Sequence, residues 1–305
     1  MIDFSIIIPA KNEEVNISRC LESISNIEYP AERYEVILMD NGSEDATASI
    51  AESFGALVHY LPEANISGLR NRGAELAKGK ILAFLDADCS VTADWLKAAS
   101  IYIEKPDIAC FGSPPLLPYN PTWVQKTWAY VRIRKESISS VNWLESMNMF
   151  IKRDLFLSAG GFNTSLDTCE DVDISYRLAG YGSIISDSRI KAIHHGEADT
   201  IKKFFIKELW RGKSNYRGLF EHGLKLKEIP SLFLPLYFGC LGLIVIYILL
   251  FSGFLCGIYA LILWQVPLIL ITCLKIRKFF SFTAAARLYF LYNIYYSARF
   301  LSVFK

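Results

Sequence analysis

Apolar and polar positions follow two different periods in the first part of the chain. Phe4 to Ala10 (FSIIIPA), Glu35 to Asp40 (EVILMD) and Lys80 to Asp86 (KILAFLD) are short continuous apolar runs, with a weaker one from Ala56 to Tyr60. Glu14 to Ser25, Asp45 to Phe54 and Gly68 to Ala77 instead carry apolar residues at helical spacing. Strands alternating with helices across short links predict a mostly parallel sheet covered by helices on both faces. In such sheets ligands bind beyond the carboxyl ends of the strands, so the polar residues after each run are the ones to examine.

From about Asp107 the pattern changes. Prolines 114, 115, 118 and 121 punctuate a loop, and an aromatic, Arg-containing helix is expected from Trp123 to Ser139. Glu145 to Arg153 reads as another strand, Gly160-Gly161-Phe162 and Glu170-Asp171-Val172-Asp173 follow, and Ile184 to Ile193 reads as one late strand ending in His194-His195. Pro230 to Cys273 contain no Asp, Glu, Lys or Arg. That is about twice the ~20 residues one membrane-spanning helix needs. A hairpin of two spans is expected, Leu232 to Phe251 and Phe254 to Cys273, turning at Ser252-Gly253. Lys225 and Lys227 before it, and Lys275, Arg277 and Lys278 after it, put both flanks in the cytoplasm by the positive-inside tendency. The remainder, with Arg287, Arg299 and Lys305, suits an interfacial helix. The expected domains are therefore 1–229 (catalytic), 230–274 (transmembrane hairpin) and 275–305 (cytoplasmic or interfacial tail).

Composition adds little. Lys plus Arg number 32 and Asp plus Glu 31, an average over a soluble region and an uncharged one, and no nucleic-acid partner is expected. Met1 to Ser5 show no basic n-region or cleavage site, so no signal peptide is expected. Seven cysteines without a CxxC pair read as reduced thiols, not as a zinc site or disulfide framework.

Asp86-Ala87-Asp88 closes the fourth strand. Two carboxylates at this spacing can both approach one hard cation, and Mg2+ or Mn2+ takes oxygen ligands from carboxylates and substrate phosphates. Such an ion would bridge the diphosphate of a sugar nucleotide and offset the charge of the leaving group. An exposed turn can be spelled the same way, so the pair gains weight from its neighbours. Asp40-Asn41-Gly42-Ser43 follows the second strand, where a carboxylate can accept from uracil or ribose. Pro9-Ala10-Lys11-Asn12-Glu13 follows the first, and Arg70-Asn71-Arg72-Gly73 opens the helix before the DxD strand. Core packing does not explain these four polar clusters.

Taken in order, SIIIPAKNEE, MDNGSEDAT and GLRNRGAELAKGKILAFLDAD, then GGF at 160–162 and the ED pair at 170–171, resemble glycosyltransferase family 2 over residues 3–220. The resemblance implies a GT-A fold, a nucleoside-diphosphate-sugar donor and inversion at the anomeric carbon. By position it implies that Pro9, Ala10 and Glu13 line the nucleotide pocket. Asp40 would contact the base, with Asn41, Gly42 and Ser43 beside it. Arg70 and Asn71 would lie near base or phosphate, and Asp86, Ala87 and Asp88 would hold ribose and metal. The family often has a second acidic residue where this chain has Asn41, which leaves the base open. Asp171 is the implied catalytic base and Glu170 the runner-up; Asp173 reads equally as a helix-start charge. His194 or His195 stands near where the family places a metal- or diphosphate-contacting histidine, with a structurally bonded imidazole as the rival.

The basic run Lys202 to Lys227, with Arg211 and Lys213, reads as a solvated face or as a grip on a diphosphate or lipid headgroup. Glu208-Leu209-Trp210-Arg211-Gly212 departs from the QxxRW motif of processive members. Trp123, Trp128, Tyr130 and Trp143 read as core, or as a stacking surface for an acceptor sugar.

The expected activity is metal-dependent transfer of one sugar to a hydroxyl of a lipid-linked acceptor, at the inner or plasma membrane, in cell-surface polysaccharide or glycolipid synthesis. The alternatives are transfer to a polyprenyl phosphate and, in another class, a membrane scaffold or transport protein with a degenerate nucleotide-binding domain.

Overall fold

The computed structural model describes residues 1–132, 138–213, 229–276 and 281–304, which form two compact units. The basic residues Arg217, Lys225, Lys227, Arg277 and Lys278 lie outside the described residues.

The first unit contains Met1–Pro118 and Arg134–Glu197. Its chain begins β1 (Phe4–Ala10), α1 (Glu14–Ser25), β2 (Tyr34–Asp40), α2 (Thr47–Ser53), β3 (Leu57–Tyr60), α3 (Ile66–Leu76) and β4 (Ile81–Leu85). β3, β2, β1 and β4 lie side by side and parallel, so Ala10, Asp40 and Tyr60 are in register at one sheet edge. Side chains alternate between two cores, as period two requires. Phe4, Ile6 and Ile8 of β1 pack in one with Leu38, Ala83 and Leu85, while Ile7 joins Ile37, Met39, Leu82 and Phe84 in the other. Burial on both faces explains why these strands read as continuous apolar runs.

The second half continues with β5 (Cys89–Val91), α4 (Trp95–Ser100), β6 (Ile108–Gly112), α5 (Trp123–Arg132, in the second unit), β7 (Ile138–Ser140), β8 (Asn148–Lys152), α6 (Arg153–Ser158), α7 (Glu170–Leu178), β9 (Ser183–Asp187) and β10 (Ala192–His194). The main sheet is mixed, in the order β3-β2-β1-β4-β8-β6-β9-β7, with β8 antiparallel to both β4 and β6.

Two expectations are corrected here. Ile138 and Ser139 belong to β7, paired with β9, and not to the end of a helix starting at Trp123. The apolar run 184–193 is two strands, not one. Buried Asp187 accepts the Arg189 backbone N–H (3.0 Å) and the Tyr102 hydroxyl (2.7 Å), which turns the chain. β9 stays in the main sheet, and β10 leaves it to pair antiparallel with β5.

The second unit contains Tyr119–Ile133 and Ala198–Lys305. Besides α5 it holds α8 (Ile201–Arg211), α9 (Ile229–Phe251), α10 (Phe254–Ile276) and α11 (Phe282–Ser302). α9 and α10 meet at Ser252-Gly253, have mean hydropathies of 2.4 and 2.3, and are long and apolar enough to cross a membrane. Only 28% and 11% of their apolar windows are buried, unlike core helices of a soluble protein. The tail helix α11 buries Leu288, Leu291, Tyr292 and Tyr296 against the other helices of this unit. Gln265 of α10 bonds to α11 through the Tyr289 hydroxyl (2.8 Å) and Asn293 Oδ1 (3.2 Å).

Candidate active site

The carboxyl ends of β1, β2 and β4 gather the polar clusters. After β1, Asn12 adopts a left-handed φ of 54°, rare for a residue with a side chain. Its amide donates to Ser43 Oγ (2.9 Å) and its Oδ1 accepts from the Glu44 amide (2.9 Å), locking the first loop to the second. The Glu13 amide donates to Thr47 Oγ1 (2.7 Å), and its carboxylate accepts from Asn16 Nδ2 (2.8 Å). Burial raises the Glu13 pKa, with Asp88 and Asp86 adding to it. Pro9 and Ala10 are buried strand-end residues, and the Ala10 carbonyl accepts the Asn41 amide (2.9 Å).

Asp40 is 1% exposed, and its Oδ1 accepts the Ser43 amide (2.7 Å), closing a turn through Asn41 and Gly42. The two hydrogens of Asn41 Nδ2 are shared among the carbonyls of Leu61, Pro62 and Ala64, at 3.0, 3.1 and 2.7 Å. Asn41 therefore buttresses the loop after β3. Asn71 plays a similar part: its Nδ2 donates to the Phe162 carbonyl and its Oδ1 accepts the Phe162 amide, both at 2.8 Å. Gly161 beside it has φ +70° and lies so close that a Cβ would sit 2.6 Å from Asn71 Oδ1. That accounts for a glycine in the GGF segment.

Arg70 connects two clusters that are far apart in sequence. It is 2% exposed, with Nη2 2.7 Å from Asp86 Oδ1 and Nη1 2.8 Å from Glu170 Oε1. Its guanidinium also stands 5.5 Å from the Phe162 ring centroid. Burial opposes its charge, but Asp86 and Glu170 outweigh burial and its pKa is raised.

Glu170 and Asp171 form the first turn of α7, preceded by Cys169 in the left-handed region at φ 67°. Glu170 also lies 3.4 Å from Ser146 Oγ. Asp171 Oδ1 accepts the Val172 amide (2.8 Å). Burial, then Glu170 and Glu145, push the Asp171 pKa up to about 8, against the pull of Arg70. Asp173 pairs with Arg177 one turn on, through Arg177 Nε at 3.0 Å, as a structural helix-start charge.

Asp88 lies where β5 and β10 pair. The His195 amide donates to the Asp88 carbonyl (2.9 Å), and His194 Nε2 lies 3.1 Å from Asp88 Oδ2. Asp88, Cys89 and His194 offer three ligand atoms within 4.8 Å of one another. Burial, with Asp86 and Asp88, raises the Cys89 thiol pKa well above its usual value. Within that group Asp88 and His194 supply an oxygen and a nitrogen, the ligand types suited to Mn2+. The other two residues expected at a metal are engaged elsewhere: Asp86 with Arg70, and His195 Nε2 with Ser90 Oγ (2.8 Å). Burial, with Arg19, lowers the His195 pKa.

Sequence reasoning passed over Gly196, Glu197 and Glu145. A Cβ at 196 would overlap Asp88 Oδ2, so the turn after β10 is shaped around that carboxylate. Glu197 Oε1 lies 3.3 Å from His194 Nδ1. The available signal was the spelling HHGE, an acidic residue three after a histidine.

Arg211 and Lys213 lie in the second unit. Arg211 Nη1 pairs with Glu208 Oε1 (2.8 Å), whose other oxygen takes Arg299 Nη2 (2.8 Å). Glu208 is 1% exposed; burial raises its pKa, but the two arginines outweigh that and lower it. Lys213 is exposed. Trp128 packs on Phe204, Tyr292 and Tyr295, Trp123 on Phe290 and Arg287, Tyr130 is 38% exposed, and Trp143 is half-buried.

Residues 5–159 match the family model for glycosyl transferase family 2. Glycosyltransferase AglE of Haloferax volcanii is 35% identical over 188 residues, covering 58% of this chain and 62% of the relative. Beta-monoglucosyldiacylglycerol synthase of Trichormus variabilis is 26% identical over 190 residues, covering 57% and 40%. The chain thus spans roughly half the length of these curated relatives. Among solved structures, the mannosyltransferase PcManGT from Pyrobaculum calidifontis, in complex with GDP-Man and Mn2+, superposes with a TM-score of 0.64 at 16% identity, covering 99% of this chain and 86% of that one. S. aureus TarS 1–349 gives a TM-score of 0.53 at 18% identity, covering 98% and 90%. The shared architecture is the GT-A fold.

Proposed function

This chain belongs to glycosyl transferase family 2, and from that premise we propose that it transfers one sugar, with inversion, from a nucleoside-diphosphate sugar to a hydroxyl of a lipid-linked acceptor. The observation that carries this reading is the bridge by which Arg70 joins Asp86 of the DxD to Glu170 of the ED pair. Bringing Asp86 near the ED pair in this way supports a displacement at one carbon.

The chain's own residues divide the work. The β1 and β2 loops, with Glu13 and Asp40, bind the nucleotide. Asp88 and His194 hold a divalent cation, Mn2+ or Mg2+, which when bound neutralises charge on the departing diphosphate. Asp171 takes the acceptor hydroxyl proton as the new bond forms. Its raised pKa suits a base, because proton affinity near the working pH favours abstraction. The reading puts the protein at the inner or plasma membrane with a cytoplasmic active site, and α9 and α10, which are long and apolar enough to cross a membrane, support the membrane association. Support for the lipid comes from those helices and from the relative named as a glucosyldiacylglycerol synthase.

The test uses full-length protein purified in detergent, a panel of nucleotide sugars and a lipid extract. Nucleoside diphosphate release from one donor, abolished by EDTA and restored by Mn2+ or Mg2+, is expected. No release from any donor refutes the proposal.

A further inference from the structure

His194 stands between two carboxylates. Its Nε2 lies 3.1 Å from Asp88 Oδ2 and its Nδ1 lies 3.3 Å from Glu197 Oε1. All three side chains are largely covered, at 9, 22 and 11% exposure for His194, Asp88 and Glu197. The register is fixed by backbone: His194 pairs with Cys89 across the β10–β5 ladder, and the next amide donates to the Asp88 carbonyl. The turn to Glu197 passes so close to Asp88 that a Cβ at 196 would lie 1.8 Å from Asp88 Oδ2. His194 and Gly196 both meet the Asp88 carboxylate, and Glu197 meets the far side of the His194 ring.

A neutral imidazole has one protonated and one bare nitrogen. The bare nitrogen and a carboxylate oxygen are both acceptors, and two acceptors this close repel unless a proton or a cation lies between them. Asp88 beside Nε2 and Glu197 beside Nδ1 each favour a proton on the nearer nitrogen; a cation held by Asp88 displaces the Nε2 proton, and Glu197 then keeps the remaining proton on Nδ1. In metal sites this outer carboxylate orients the ring and strengthens its nitrogen as a ligand.

We propose that Glu197 is a positioning residue which, by holding the Nδ1 proton of His194, makes the Asp88–His194 pair a mixed oxygen–nitrogen site selective for Mn2+ over Mg2+. The proposal rests on the metal reading of the proposed function. Selectivity follows from ligand chemistry. Mg2+ demands near-ideal octahedral oxygen coordination and keeps its waters, so an imidazole adds little for it. A transition ion gains from the nitrogen.

The experiment titrates Mn2+ into metal-free full-length protein in detergent, with excess UDP or GDP, following free Mn2+ by its paramagnetic resonance signal; Mg2+ is measured by competition. Wild type, Glu197→Ala, Glu197→Gln, His194→Ala and the double variant Glu197→Ala/His194→Ala are compared. Removal of an outer carboxylate typically weakens metal affinity about 10- to 100-fold. Glu197→Ala is expected to lose Mn2+ affinity by that factor while Mg2+ affinity changes less than about twofold. Glu197→Gln, which keeps an acceptor oxygen, is expected to retain most of the Mn2+ affinity. The double variant is expected to match His194→Ala.

Equal loss of both ions in Glu197→Ala indicates a general structural role and overturns the proposal. So does unchanged Mn2+ affinity, or further loss when Glu197 is removed from the His194→Ala variant. Wild type that binds no Mn2+ with either nucleotide overturns the metal reading itself, an outcome distinct from binding that is insensitive to Glu197.

Discussion

Replacing Arg70 by methionine keeps the aliphatic stem and removes the guanidinium between Asp86 and Glu170. The two carboxylates are not equally exposed: the Asp86 side chain is 32% accessible and can recover water, whereas Glu170 is 11% accessible. The cost therefore falls mainly on Glu170. Breaking a buried ion pair by deleting one partner costs about 3–5 kcal/mol, because the other charge stays buried and uncompensated. With one carboxylate partly rehydrated, the lower end, about 3 kcal/mol, is expected. For units of roughly 150–250 residues, each kcal/mol moves Tm by about 2–4 °C, giving a fall of about 6–12 °C. Two controls identify the cause. Protonation removes a buried, uncompensated charge, so the variant's deficit must shrink as pH falls and grow as pH rises. Adding Glu170→Gln to Arg70→Met must recover part of the lost stability, because the double variant buries no lone charge there. The assay is thermal unfolding of full-length protein in detergent, followed by circular dichroism at several pH values. A melting point within about 1 °C of wild type, or a deficit independent of pH, refutes the electrostatic account of the bridge.

Three further outcomes are expected. Asp171→Asn should lower single-turnover sugar transfer by about 10²–10⁴-fold, the usual worth of a positioned general base, with donor binding by calorimetry unchanged; near-normal transfer removes Asp171 from the mechanism. In metal-free protein the raised Asp171 pKa means that folding favours the protonated carboxyl. Its stabilising contribution is present below the unfolded carboxylate range and is lost as pH rises through about 8. Wild type should lose stability relative to Asp171→Asn over that window in denaturant titrations, and parallel curves contradict the burial described. Gly196→Ala puts a methyl on Asp88 Oδ2, so Mn2+ affinity should fall at least about tenfold, as when metal ligands lose their support. Unchanged Mn2+ titration would mean that Asp88 is not a ligand.

Much of the first unit was legible because its signals are local. A strand buried on both faces must be apolar throughout, so β1, β2 and β4 were visible as runs, and the polar residues after them marked a strand edge. The long helices α9 and α10 were visible for a similar reason, since a charge-free stretch needs no partner to be recognised. The run 184–193 misled because both of its strands are apolar, and only the buried Asp187 turn separates them. The mixed composition of the tail gave no sign of which of its residues α11 buries, since that depends on the helices it meets.

The roles of single residues within the site came from tertiary structure alone. Arg70 and Glu170 are a hundred positions apart, and no periodicity announces an ion pair across such a loop. Asn41 and Asn71 clamp neighbouring loops, which no sequence pattern announces, because an amide's partners depend on which backbone passes within 3 Å. His194 and His195 are the clearest case. The two are adjacent in sequence, which leaves open which imidazole meets the DxD. Which one depends on the register of β10 against β5, a property of two strands a hundred residues apart, and that register turns His194 to Asp88 and His195 to Ser90.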